Sequence, residues 1–183
     1  EAQPFFVTIN NQTVAIAHNG NTVNTESIKQ YLLDQYDKVP ATSSDTELLL
    51  HLFTQSLLQN KMKLDDEDLF NSVKNVISKT DGGYAVIIMI AGKGLLAFRD
   101  PNGIRPLCYG ERKNDSGGKE YMFASESVAL ETLGYKLVRD VLPGEAIFVN
   151  NSGKLSHKIC AEKTAKIPCA FEYVYLARPD SII

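Results

Sequence analysis

Little in this sequence commits it to an unusual environment. Its 183 residues hold three cysteines, Cys108, Cys160 and Cys169, too few and too scattered for a disulfide framework. The 19 Lys+Arg do not exceed the 22 Asp+Glu, and the formal net charge is -3. There is no basic excess to neutralise nucleic-acid phosphates and no polybasic run to hold an anionic membrane. The longest aliphatic run, Ala85 to Ala91, is far short of the ~20 residues that cross a bilayer. No charged, apolar and small-residue succession opens the chain, which therefore reads without a secretory signal. The glycosylation patterns Asn11-Gln12-Thr13, Asn114-Asp115-Ser116 and Asn150-Asn151-Ser152 then carry no meaning. Cys-x-x-Cys, His-Glu-x-x-His and Gly-x-Ser-x-Gly are all missing, and Gly92-x-Gly94 has no third glycine. A cytoplasmic protein with reduced thiols, binding neither nucleic acid nor membrane, is the expectation.

What is present is an ordinary globular composition, 44% hydrophobic and 22% charged, in a chain long enough for one domain. Residues 5–9 and 13–17 are β-branched or aromatic runs around Asn10-Asn11, which predicts a hairpin. Helical periodicity follows at Thr25 to Lys38, stopped by Pro40. A second helix begins at Ser44, where Ser44 and Glu47 have the spacing of a capping box. A third runs from Asp66 to Thr80, with Gly82-Gly83 as its stop. Short strands are predicted at 84–90, 95–99, 107–110, 121–125, 136–139, 145–149 and 155–159, with one helix at 127–133. No internal repeat occurs, and Asn114 to Lys119 reads as a polar surface loop. Helices grouped together, then antiparallel hairpins grouped together, predict α+β rather than a doubly wound parallel sheet. The strand 84–90 is apolar on both faces, so two sheets packed on each other with helices outside would satisfy it.

Four short segments could carry chemistry. His18-Asn19-Gly20-Asn21 leaves a strand, and an Asn-Gly pair there is first a turn. The functional alternative is that a glycine N–H and the Asn19 amide share one oxygen as an oxyanion hole. Ser44 to Glu47 is explained by capping, although Asp45 could accept from a ligand ammonium. Arg99 to Pro106 bends at Pro101-Asn102-Gly103, and its arginines and Asp100 could form an internal ion pair or an anion site. Leu64 to Asp68 has paired aspartates without the strand before and glycine-rich loop after that a metal–phosphate site needs, and reads as an N-cap cluster. His51 and His157 have no evident partner.

Taken in order, Ala17 to Asn21, Ser44 to Glu47, Phe98 to Leu107, Ala124 to Ser127 and Phe171 to Ser181 resemble the glutamine phosphoribosylpyrophosphate amidotransferases, a branch of the class II glutamine amidotransferases. The first two motifs occur throughout that class; the arginine-rich turn and the Phe-Glu-Tyr-Val-Tyr run are closer to the one branch. The resemblance implies an N-terminal-nucleophile hydrolase fold, a four-layer αββα sandwich of two antiparallel sheets between helices. It implies that an amino-terminal cysteine attacks the glutamine amide with its own amine as base, releasing ammonia to a phosphoribosyltransferase domain. Asn19 and Gly20 match the oxyanion-hole pair, and Asp45 the acid that holds the glutamine α-amino group. The step from Asn19 to Asp45 accommodates a strand end, a helix and a return loop, so both could reach one pocket.

The chain departs from that pattern at its ends. It starts at Glu1 rather than cysteine, so residues 1–183 are expected to be most of the amidotransferase domain, without its nucleophile-bearing start and without the phosphoribosyltransferase domain. Alone they are expected to show no glutaminase activity and to leave an open sheet edge. Thr46 stands where serine is usual in this branch, a variant shared with the glucosamine-6-phosphate synthases, which are the runner-up. A non-catalytic interaction module with a decayed site is the reading from a different class. By resemblance the partners are glutamine, phosphoribosylpyrophosphate and further copies of the same chain. No cofactor belongs to this segment, and Mg2+ belongs with the phosphoribosyltransferase domain. Cys169 stands where some members place an iron–sulfur ligand, but one thiolate cannot hold a cluster, and an ordinary buried thiol is the plainer expectation.

Overall fold

The computed structural model describes residues 2–115 and 117–182. Glu1, Ile183 and the Ser116 of the middle glycosylation pattern lie outside the described residues. The hairpin forms as the sequence predicts, from β1 (Phe5–Ile9) and β2 (Gln12–Thr22). Asn10 and Asn11 turn it with φ of 45° and 62°, the twist that suits a two-residue connection. Three helices follow: α1 (Thr25–Tyr36), α2 (Asp45–Gln59) and α3 (Asp66–Lys79). The remaining elements are β3 (Gly82–Ile90), β4 (Gly94–Arg99), β5 (Cys108–Lys113), β6 (Lys119–Ala124), α4 (Ser127–Thr132), β7 (Lys136–Asp140), β8 (Glu145–Asn150), β9 (Leu155–Ile159) and a short π turn, Glu172–Leu176.

The strands make two antiparallel sheets, one in the order β1-β2-β3-β4-β8-β9 and one in the order β6-β5-β7. Alternation along β3 sets the layers. Tyr84, Val86, Ile88 and Ile90 face α1, α2 and α3, and join Leu32, Leu49, Phe53, Leu57, Leu69 and Val73 in the larger core. Ala85 and Ile87 point the other way and meet Tyr109 and Phe123 of the smaller sheet. A sheet apolar on both faces is thus covered on both, as the sequence requires. The short α4 packs over Gly110 through Leu130, on the outer face of β5, and completes an αββα order. Each fully buried leucine of this core contributes about 1.5–3 kcal/mol of transfer free energy.

Three local readings differ. Gly82 and Gly83 do not end α3; the helix stops at Thr80, and the glycines open β3. Helix α1 stops short of Lys38, because Asp37 turns left-handed at φ 50° and gives its N–H to the last turn. The capping box is half made: Ser44 Oγ accepts from Thr46 N at 3.3 Å, but Glu47 does not reach back to Ser44. Its carboxylate instead accepts from Ala41 N (2.8 Å), Thr42 N (2.7 Å) and Thr42 Oγ1 (2.6 Å), stapling the loop before the helix. The Asp65 cluster behaves as read, with Asp65 Oδ1 accepting from Asp68 N at 2.8 Å.

His51 Nε2 lies 3.2 Å from Glu47 Oε1 inside this arrangement. Burial, with the Lys38 charge, holds the His51 imidazole below its ordinary 6.5, against the pull of Glu47. The unfolded chain therefore binds the proton first, and stability falls as pH drops below 6.5 toward the lower native value. Glu47 is itself lowered, since hydrogen bonds from Thr42, Ala41 and His51 outweigh the burial that raises it. Its contribution is lost only at more acid pH. His51→Gln should flatten the part of the Tm decline that begins near pH 6.5; superimposable Tm–pH profiles would refute this.

Candidate functional site

The second half of β2 is the centre of the site. The sequence suggests that residues 18–21 turn; in the structure they continue the strand, with Asn19 opposite Ala85, Gly20 opposite Tyr84 and Asn21 opposite Gly83. The glycines serve a different purpose from a turn. Gly20 has φ +145°, and a Cβ there would lie 2.1 Å from the Gly83 carbonyl oxygen. Gly82 is the mirror case, φ +141° with a Cβ 2.2 Å from the Asn21 carbonyl. Two backbones approach here as only glycine allows. His18 and Thr22 are buried, whereas Asn19, Gly20 and Asn21 are exposed.

The arginine-rich loop packs against this strand end, with Ile104 filling the space beside Gly83. It is held by charge spread into backbone groups, not by the internal ion pair or anion site that its sequence suggests. The fully buried Asp100 accepts from Asn102 N and Ile104 N (both 3.0 Å), Arg105 N (3.1 Å) and Tyr84 N (3.2 Å). Arg99 donates to the carbonyls of Arg105 (2.5 Å), Gly103 (2.9 Å) and Val141 (3.0 Å). So anchored, the loop sends the Arg105 guanidinium back to Asn19 Oδ1 at 2.5 Å and to the Glu172 carboxylate of the π turn. The Asn19 amide nitrogen donates to Ser125 Oγ at 3.1 Å. Asn19, Gly20, Asn21, Val23, Gly83, Ile104 and Arg105 line an open depression of about 380 Å³.

Asp45 is not among those lining residues. Its carboxylate sits at the end of β2, accepting from Thr22 N at 3.0 Å, with Oδ1 3.5 Å from His18 Nδ1. The structure thus places Asp45 two residues along the strand from Gly20, beside the depression rather than in its lining. Burial holds the His18 imidazole below its ordinary value; the Arg105 charge adds to this and Asp45 opposes it. A neutral ring facing Asp45 leaves the carboxylate's charge available to a cation.

The C-terminal segment closes over the same region. Glu126 accepts from Arg178 N (2.9 Å) and Ser181 Oγ (2.7 Å), and Ser127 Oγ accepts from Ile182 N (2.8 Å). All five segments singled out in the sequence therefore meet around one end of β2. Sequence reasoning gave Arg105 only a generic part and Glu172 none, because their partners are 67 and 86 residues away.

Two of the three thiols are poorly suited to attack a carbonyl. Burial, with Asp140 nearby, pushes Cys108 up to about 12, and burial pushes Cys160 up to about 11. Cys169 is half-exposed rather than buried as expected. Among the described residues no three His, Cys, Asp or Glu side chains are grouped to hold a metal. Among the described residues no helix is long and apolar enough to cross a membrane.

Residues 1–132 match the glutamine amidotransferase domain. The chain belongs to that family. This glutamine amidotransferase domain is similar along its whole length to amidophosphoribosyltransferases: 46% identical over 184 residues to that of Pseudomonas aeruginosa and 45% over 184 to that of Escherichia coli. The Saccharomyces cerevisiae enzyme is 43% identical over 187 residues. In each case the alignment covers 100% of this chain and 36% of the relative, so the domain spans about a third of their length. Among solved structures, glutamine phosphoribosylpyrophosphate amidotransferase from B. subtilis, complexed with ADP and GMP, superimposes with a TM-score of 0.82 at 35% identity, over 99% of this chain and 36% of that one. The fold is that of the N-terminal-nucleophile hydrolases, as the αββα layering indicates.

Proposed function

We propose that this domain is the glutaminase part of an amidophosphoribosyltransferase, taking ammonia from glutamine for the first committed step of purine synthesis. In this reading a cysteine thiolate, none of Cys108, Cys160 and Cys169, attacks the side-chain amide carbon. The C–N bond breaks, ammonia leaves, and water hydrolyses the thioester to glutamate. Asn19 Nδ2, with the Gly20 backbone, steadies the oxyanion, and Asp45 binds the α-ammonium of glutamine. Ammonia then displaces pyrophosphate from phosphoribosylpyrophosphate to give 5-phosphoribosylamine, in a phosphoribosyltransferase domain where Mg2+ would screen the diphosphate. The protein would act in the cytoplasm as a homo-oligomer. We assign neither cofactor nor iron–sulfur cluster to residues 1–183.

One observation carries the choice of enzyme. The similarity to amidophosphoribosyltransferases continues through residues 133–183, past the part that matches the glutamine amidotransferase domain, and this stretch brings Glu172 and Arg178 against the site. The part shared with glucosamine-6-phosphate synthases would not account for that extension.

The test of the binding role is Asp45→Asn in the full-length protein. Losing a charge-assisted bond to the ground-state ammonium, worth roughly 1.5–3 kcal/mol, should raise the glutamine KM about 10- to 100-fold with little change in kcat. Unfolding without a selective KM effect would show that Asp45 serves only the start of α2.

A further inference from the structure

We propose that Arg105 is a positioning residue for the Asn19 amide, and that Glu172 in turn fixes Arg105. This rests on the reading of Asn19 as the oxyanion donor. A primary amide has two ends of nearly equal size, and only the NH2 end can donate to an oxyanion. Asn19 stands on the exposed face of β2, where packing alone does not select one end. A guanidinium can only donate, so the end 2.5 Å from Arg105 Nη2 has to be Oδ1. The nitrogen is thereby turned to the opposite side, 3.1 Å from Ser125 Oγ, with a second N–H to offer. The cation also draws electron density toward Oδ1, which makes the amide N–H a stronger donor.

Arg105 is fixed at both ends. Its backbone N–H is held by Asp100 and its carbonyl by Arg99. Its other terminal nitrogen pairs with Glu172, whose side chain is 6% exposed, against 21% for that of Arg105. An ion pair serving stability alone would need only Glu172. The fork of the guanidinium reaches both the buried carboxylate and the amide oxygen, as a lysine ammonium does not. The segment around Glu172 is otherwise exposed at Phe171, Val174 and Tyr175, and the buried acid is what ties it to Arg105.

The experiment uses the full-length protein and reads the ratio of glutamine-dependent to ammonia-dependent product formation, with kcat and KM for glutamine resolved. Arg105→Gln should lower the ratio about tenfold through kcat, with the glutamine KM unchanged. Glu172→Gln should act in the same direction, and Arg105→Lys should recover only part of the loss. In an Asn19→Ala background, Arg105→Gln should have no further effect, since two residues acting through one donor are not additive. If Arg105→Gln lowers the ratio as much again in that background, the positioning role is overturned and the oxyanion role of Asn19 stands. If Asn19→Ala itself leaves the ratio intact, the oxyanion reading fails instead. Should Arg105→Gln not fold, Glu172→Gln carries the test alone: a selective fall in kcat supports the proposal, and an unchanged ratio or a matching fall in both activities overturns it.

Discussion

Asn19→Ala in the full-length protein is expected to cut glutamine-dependent turnover by about 10²–10³ while ammonia-dependent turnover persists. The size follows from what one oxyanion donor is worth when it is already aimed before the reaction, about 2.7–4 kcal/mol. The Asn19 side chain is held at both ends, by Arg105 and Ser125, so little of that stabilisation is spent on ordering the amide. The selectivity follows from the chemistry: free ammonia needs no acyl-enzyme and no oxyanion. Steady-state rates with each nitrogen donor check it. Equal losses with both donors would reduce Asn19 to a residue that supports β2.

Gly20→Ala should be the most damaging single methyl in this region. The added carbon would lie 2.1 Å from the Gly83 carbonyl oxygen at a φ of +145°, so both the backbone conformation and the β2–β3 spacing have to change. Strain of this kind costs on the order of 3 kcal/mol or more, a Tm loss of roughly 10 °C for a domain of this size. Gly92→Ala is the natural comparison, because Gly92 has φ +71° but nothing within 4 Å of the added carbon. Strain without a clash should cost only about 1 kcal/mol there. Thermal unfolding of both variants decides the matter, and equal shifts would mean that the close approach of β2 and β3 is not held in solution.

These two positions also show where sequence reasoning stopped. Element order, the Asn10-Asn11 hairpin and the Asp65 cap were legible because each depends on residues within a few positions of one another. The αββα class was legible too, since β3 alternates between two apolar faces. Residues 18–21 were misread as a turn because Asn-Gly permits positive φ wherever it occurs. What makes Gly20 necessary is a carbonyl on another strand, which no local pattern contains. Glu47 has capping-box spacing, yet its carboxylate is taken by the backbone of residues 41 and 42, a loop closure decided by how α1 hands over to α2. Asn19, Gly20 and Asp45 stood out by residue type and were joined in one site by resemblance; that Asp45 is held by the Thr22 N–H at the end of β2 came only from the fold. Arg105 was visible as an arginine in a turn, and its task was not, since both groups it holds are distant in the chain.

The proposed function requires that the glutamine amide nitrogen reach phosphoribosylpyrophosphate. Its most direct test gives the full-length protein Mg2+, phosphoribosylpyrophosphate and glutamine carrying ¹⁵N at the side-chain amide. Phosphoribosylamine labelled with ¹⁵N is expected, formed in equal amount to glutamate and pyrophosphate, with no labelled product when fructose 6-phosphate replaces phosphoribosylpyrophosphate. Label transferred to fructose 6-phosphate instead, or no glutamine consumed with either acceptor, would contradict it.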